Sequence, residues 1–338
     1  MQCLPSYKKP SKSGLPTTMS NALTMVANYL FGWTVLTIAL SWLLAGMYPL
    51  VSRVLANCKA ESAAFFTLLY GMLAPTAATT ALILLSLPAL AFPFITDHCH
   101  GSTCAPHTLH ITTNTAEGIV TVAIAVTLLM GVFTFMLIQL FSSRRQLRVL
   151  SHLSEAGATA YRVVEGPDHI AWCVGLLRPQ VYLSRGLIES LTPRQVQIIL
   201  AHELTHAIRK DNLRKWGIHW STLAWPALVK AQIRQDLSNY HERICDLAAA
   251  RINKDQLNKD ELISTLIAYH AGTKQSVKSM DQITLQQRLA SFYRVPSLKQ
   301  SDQLISELKP MGIITGAWLT AAILALHIGH PLLEWLSQ

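Results

Sequence analysis

The chain has 338 residues, of which 51% are hydrophobic and 14% charged, with a mean hydropathy of +0.30. An average soluble domain carries about 25% charge, so this composition excludes a disordered chain and argues against an ordinary water-soluble enzyme. The 28 Lys+Arg against 19 Asp+Glu give a net charge of +9; in a membrane protein such an excess reflects basic loops held on the cytoplasmic side, and no direct nucleic-acid binding is expected.

Residues 1–20 are rich in Pro, Ser and Lys and read as a disordered extension. Residues 21–144 hold three apolar runs. Val26 to Val51 is long enough at 1.5 Å per residue to cross about 30 Å of hydrocarbon. Ala63 to Leu90 follows, with Pro75 and Pro88 as tolerated kinks, and then Gly118 to Phe141. A fourth run, Met311 to Gly329, lies in the closing segment 311–338. The expectation is a mainly α membrane protein with four transmembrane helices.

Short loops set the orientation. Arg53 and Lys59 follow the first run, Arg144, Arg145 and Arg148 follow the third, and the loop 93–116 has no Lys or Arg. By the positive-inside rule 93–116 faces outward, residues 145–310 are cytoplasmic, and both termini are outside. The implied location is a bacterial inner membrane. The outward loop carries His98, Cys99, His100, Cys104, His107 and His110. A tract so rich in His and Cys reads as a metal-sensing site; the competing reading is a Cys99–Cys104 disulfide that closes the loop.

Residues 145–310 form the segment with room for chemistry. Tyr161–Glu165, Ala171–Leu176 and Gln180–Ser184 are short runs of β-formers and predict a small antiparallel meander. Thr192-Pro193-Arg194-Gln195 predicts a helix start, with Thr as N-cap, Pro at the first position and Gln closing a capping box. That helix contains His202-Glu203-Leu204-Thr205-His206. Histidines at i and i+4 share a face, so both imidazoles reach one Zn²⁺, and Glu203 between them is placed as general base without ligating the metal.

A catalytic site needs a third ligand. Ala231 to Ile252 reads as a second helix with Glu242 and Asp246 at i and i+4, one to ligate zinc and the other to hydrogen-bond a ligating histidine. His241 is a rival about 100° away around the helix. Between the two helices Trp216 to Val229 is free of charge and holds Trp216, Trp220 and Trp225, which predicts either a helix lying at the membrane surface or a buried core helix.

His202-Glu203-Leu204-Thr205-His206 continued by Ala207-Ile208-Arg209-Lys210-Asp211 resembles the HExxHxxRxD signature of the BlaR/MecR family of membrane antirepressor metallopeptidases. Glu242-Arg243-Ile244-Cys245-Asp246 resembles its ExxCD segment. The resemblance implies a cytoplasmic α+β gluzincin-like domain with one catalytic Zn²⁺ on His202, His206 and Glu242, supported by Asp211 and Asp246. The wider ExxxD pattern is shared with HtpX-type and CAAX-prenyl endopeptidases. The penicillin-binding sensor domain of BlaR and MecR has no counterpart in the residues after the fourth run.

Three functions follow as expectations. The first is a zinc endopeptidase that cuts a cytoplasmic or membrane-proximal protein, by the resemblance a BlaI-like repressor, in signal transduction. The second is an HtpX-like quality-control protease. The third is a non-catalytic receptor whose zinc is structural, for which Cys245 is the nearby candidate fourth ligand, on the wrong turn of its helix. The expected partners are a protein substrate and membrane lipid, with a second copy of the chain left open.

Overall fold

The computed structural model describes residues 17–86, 99–100, 103–104, 116–156, 160–251, 263–265 and 300–335. The predicted extension falls almost wholly outside them, as do His98, His107, His110 and Pro88.

Helix α1 (Thr17–Leu55) crosses the whole first apolar run. Leu36, Leu40, Leu44, Tyr48, Val51 and Leu55 recur at three- and four-residue spacing and are buried, whereas Ile38, Trp42 and Leu50 point outward. The second run is broken: α2 (Ala60–Gly71) and α3 (Leu73–Ser86) meet at 49°. Pro75 explains the sharp bend, because its ring would clash with the carbonyl of residue 71 in a continuous helix. The chain there turns on Met72, whose N–H is shared by the carbonyls of Leu68 and Leu69. Buried Ala63, Ala74, Ala77, Ala78 and Ala81 let these helices approach closely.

Strands β1 (Cys99–His100) and β2 (Thr103–Cys104) pair antiparallel with Cys99 opposite Cys104. Helix α4 (Ala116–His152) carries the third run well past its apolar part, and the last helix, Gln300–Trp335, carries the fourth. Among the described residues three helices are long and apolar enough to cross a membrane, and the bent α2–α3 pair makes a fourth if it counts as one broken span.

A second sheet contains β3 (Ser154–Ala156), β4 (Arg162–Val164), β5 (Ala171–Val174) and β6 (Gln180–Ser184) in the order β3-β4-β6-β5. The predicted strands are present, but they do not form an antiparallel meander. β5 and β6 are antiparallel, whereas β4 lies parallel to β6 and never touches β5. Ser184 gives the reason: its hydroxyl accepts from the Ile170 N–H and donates to the Asp168 carbonyl, fixing the 166–170 loop across the end of β6. The chain therefore steps past one strand position before it returns.

After α5 (Arg185–Ser190) come α6 (Pro193–Arg209), α7 (Asp211–Ser221) and α8 (Ala227–Ala250). The stretch Trp216 to Val229 is thus not one helix. Pro226 disfavours helical geometry at Trp225 and opens α8 instead. Trp225 is buried among Tyr48 and Tyr70, with ring centroids 6.0 and 6.1 Å away, while Trp216 and Trp220 both donate to Gln139 of α4 at 3.0 and 3.2 Å. One apolar core runs from Leu44, Tyr48 and Tyr70 of the apolar helices to Ile218, Ile233 and Leu237 of α7 and α8. Gly71 marks the tightest approach, since a Cβ there would collide with Ile218.

Candidate active site

Helix α6 starts as its sequence predicts. Thr192 Oγ1 accepts from the Gln195 N–H at 3.3 Å and Gln195 Oε1 accepts from the Thr192 N–H at 3.0 Å. The helix ends on Lys210, whose φ of 53° and ψ of 46° are left-handed. This conformation costs a non-glycine residue about 1–2 kcal/mol, and it turns the chain so that Asp211 opens α7 facing back onto α6.

His202 and His206 bring their Nε2 atoms to 3.2 Å of each other. Glu242, from α8, places Oε2 3.3 Å from His202 Nε2 and Oε1 3.5 Å from His206 Nε2. Zinc at 2.0–2.1 Å from tetrahedral ligands requires ligand–ligand edges of about 3.3–3.4 Å. The Nε2–Nε2 distance of 3.2 Å and the His202 Nε2–Glu242 Oε2 distance of 3.3 Å lie close to that value, and the 3.5 Å contact is made by the other carboxylate oxygen, so the donor set fits zinc.

Each imidazole also has a carboxylate behind it. His206 Nδ1 donates to Asp211 Oδ2 at 2.9 Å, and His202 Nδ1 lies 3.0 Å from Asp246 Oδ1. Asp211 and Asp246 are both buried. Such carboxylates fix the tautomer that leaves Nε2 free for a metal. Burial works against a charged His202, but Asp246 and Glu242 outweigh it and carry the imidazole up to about 10. For Glu242 burial likewise opposes ionisation, and the two histidines hold the carboxyl well below its usual range.

One neighbour, Lys215, carries no signal in the sequence. Lys215 Nζ lies 4.0 Å from Glu242 Oε1. Arg209 Nε and His241 Nε2 each lie 3.5 Å from Asp211 Oδ1. His241 therefore faces Asp211 and not the point where the Nε2 atoms converge, and burial pushes its pKa down to about 4.

Cys245 requires a correction. It is close to the site: His202, His206 and Cys245 offer ligand atoms within 4.8 Å of one another. It follows Glu242 by three residues, so both lie on one helical face. Its Sγ, however, is 3.9 Å from Asp211 Oδ2, and burial followed by the charges of Asp211, Glu242 and Asp246 drives the thiol pKa strongly upward. The thiol thus faces Asp211, whereas the Glu242 carboxylate faces both Nε2 atoms.

Glu203 sits beside His202 on α6, half-buried. Burial, then the charges of Glu203 and Asp211, raise the Cys173 thiol to about 12, which puts Glu203 near β5. Strand β5 is at the sheet's edge and packs against α6. Asn212, next to Asp211, donates to the carbonyls of Cys173 and Gly175 at 2.9 and 3.3 Å and anchors the end of that strand.

No curated protein and no solved structure gave a match to the chain. The model of peptidase family M48 does match, over residues 143–278, a segment that contains the β3–β6 sheet, both histidines, Glu203, Glu242 and Asp246. That family consists of metallopeptidases that typically use zinc, in keeping with a cluster able to hold a metal ion. The chain therefore carries a peptidase family M48 domain at residues 143–278.

Proposed function

We propose that the protein is an integral membrane zinc endopeptidase that cuts a cytoplasmic or membrane-proximal protein, with His202, His206 and Glu242 as ligands and Glu203 as general base. The observation that carries the reading is the convergence of two Nε2 atoms, 3.2 Å apart, on the Glu242 carboxylate, whose two oxygens lie 3.3 and 3.5 Å from them, with Glu203 on the histidine-bearing helix. A zinc ion held there would polarise the scissile carbonyl and acidify the attacking water. Glu203 then takes the proton from that water and delivers it to the leaving amine. Asp211 and Asp246 hold the two imidazoles in the orientation that binding needs. The edge strand β5 offers an extended substrate a place to pair alongside α6.

Within this reading, cleavage of a BlaI-like repressor is the form that the resemblance of His202–Asp211 and Glu242–Asp246 implies. Disposal of membrane proteins is favoured by a different observation: α7 and α8, which carry Asp211 and Glu242, share one core with the apolar helices, which brings the site close to them. Proteomic comparison of cells expressing wild type or Glu203→Ala separates the two. Accumulation of one repressor supports signalling, accumulation of many membrane proteins supports quality control, and identical proteomes contradict proteolysis altogether.

A further inference from the structure

Where α4 leaves its apolar stretch, a cavity of about 580 Å³ opens between the end of that helix and the turn joining β5 to β6. Its size lies within the range of small-ligand sites. Arg144, Arg148 and Arg178 line it, together with Leu140, Leu147 and Leu177. Among the described residues none of the three arginines has a carboxylate partner. Arg144 and Arg148 are i and i+4 on one helical face, a like-charge pair that costs stability unless an anion lies between them. Arg145, about 100° around the helix, does not line the cavity.

The turn that brings Arg178 to this place is rigidly set. Gly175 has a φ of +109°, and a Cβ there would meet Leu147 Cδ1 at 2.8 Å and the Arg178 carbonyl at 3.0 Å. Directly before the cavity in chain order, Ile138 and Phe141 of α4 are exposed. Three exposed arginines thus line an apolar floor at the end of an apolar face. This matches an amphiphile whose phosphate meets arginine forks and whose acyl chains run along α4.

We infer that the cavity lined by Arg144, Arg148 and Arg178 binds the headgroup of an anionic phospholipid. The inference rests on α4 spanning a membrane, and it requires no peptidase activity.

The test uses the full chain reconstituted in phosphatidylcholine bilayers containing phosphatidylglycerol, extracted in detergent and weighed by native mass spectrometry. Wild type and Arg145→Gln are expected to retain phosphatidylglycerol in preference to phosphatidylcholine. The triple variant Arg144→Gln/Arg148→Gln/Arg178→Gln should lose that preference by about 100-fold, the product of roughly fivefold per basic residue at an anionic surface. If the triple variant melts early, Arg178→Gln alone, on the turn, should lose about fivefold. Equal retention by wild type and the cavity variants, or equal loss in Arg145→Gln, overturns the inference. Displacement of the lipid by millimolar inorganic phosphate overturns it too, assigning the cavity to a soluble phosphate.

Discussion

His206 Nδ1 donates a 2.9 Å hydrogen bond to Asp211 Oδ2 across the left-handed Lys210. The helix break is thus part of the site: had α6 continued straight, Asp211 would have rotated away from His206. Asp211→Asn keeps the shape and removes the charge, and should weaken zinc binding about 10–100-fold, as measured by chelator competition. Wild-type affinity in this variant would show that Asp211 does not orient His206.

Lys210→Gly should fold with equal or up to about 1 kcal/mol greater stability, because glycine adopts the left-handed conformation freely. Lys210→Val should destabilise and reduce zinc content together. Thermal melts of the two variants in detergent check both, and a stable, zinc-replete Lys210→Val would contradict the positioning role.

Glu242→Ala should strip zinc, since it removes one corner of the ligand triangle. Asp246→Ala should retain more metal, with a loss of about 10–100-fold in affinity or activity. Zinc analysis of the purified variants decides between them, and the opposite ranking would exchange their roles.

Cys245→Ala should keep both zinc and proteolysis. Four protein ligands would close the site, whereas catalysis needs an open position. If this variant lost zinc while Glu242→Ala kept it, Cys245 and not Glu242 would be the third ligand.

The metal-free protein should release at least one proton on binding zinc near neutral pH, because His202 is held charged up to about 10 and must deprotonate to ligate. The sign follows from the direction of the shift. A raised imidazole pKa stabilises the metal-free fold at low pH and loses that contribution as pH rises, so zinc affinity climbs with pH. Calorimetry in buffers of differing ionisation enthalpy counts the protons; none released would contradict a charged His202.

Much of this site was legible because its information is local. Thr192, Pro193 and Gln195 announce α6, and the i, i+4 spacing of His202 and His206 survives folding unchanged. Glu242 and Asp246 were legible as a pair with their roles open, which only their distances to His202 and His206 separate. The sheet order was hidden because Ser184 fixes the 166–170 loop through contacts remote in sequence. Cys245, at i+3 from Glu242, shares a face with it, and its nearness to both histidines follows from how α8 packs on α6, which the sequence does not display. The tryptophans left a membrane-surface helix and a buried core helix both open, and burial of Trp225 in a core built by Tyr48 and Tyr70, residues more than 150 positions away, favours the core for that residue.

The account rests most directly on Glu203, which lies on the ligand-bearing helix without belonging to the triangle. Measured side by side, wild type and Glu203→Ala should contain equal zinc, while hydrolysis of an accumulated substrate falls by about 10² or more in the variant. Hydrolysis near the wild-type rate with zinc still bound would contradict the assignment of Glu203 as the base and, with it, the proposed mechanism.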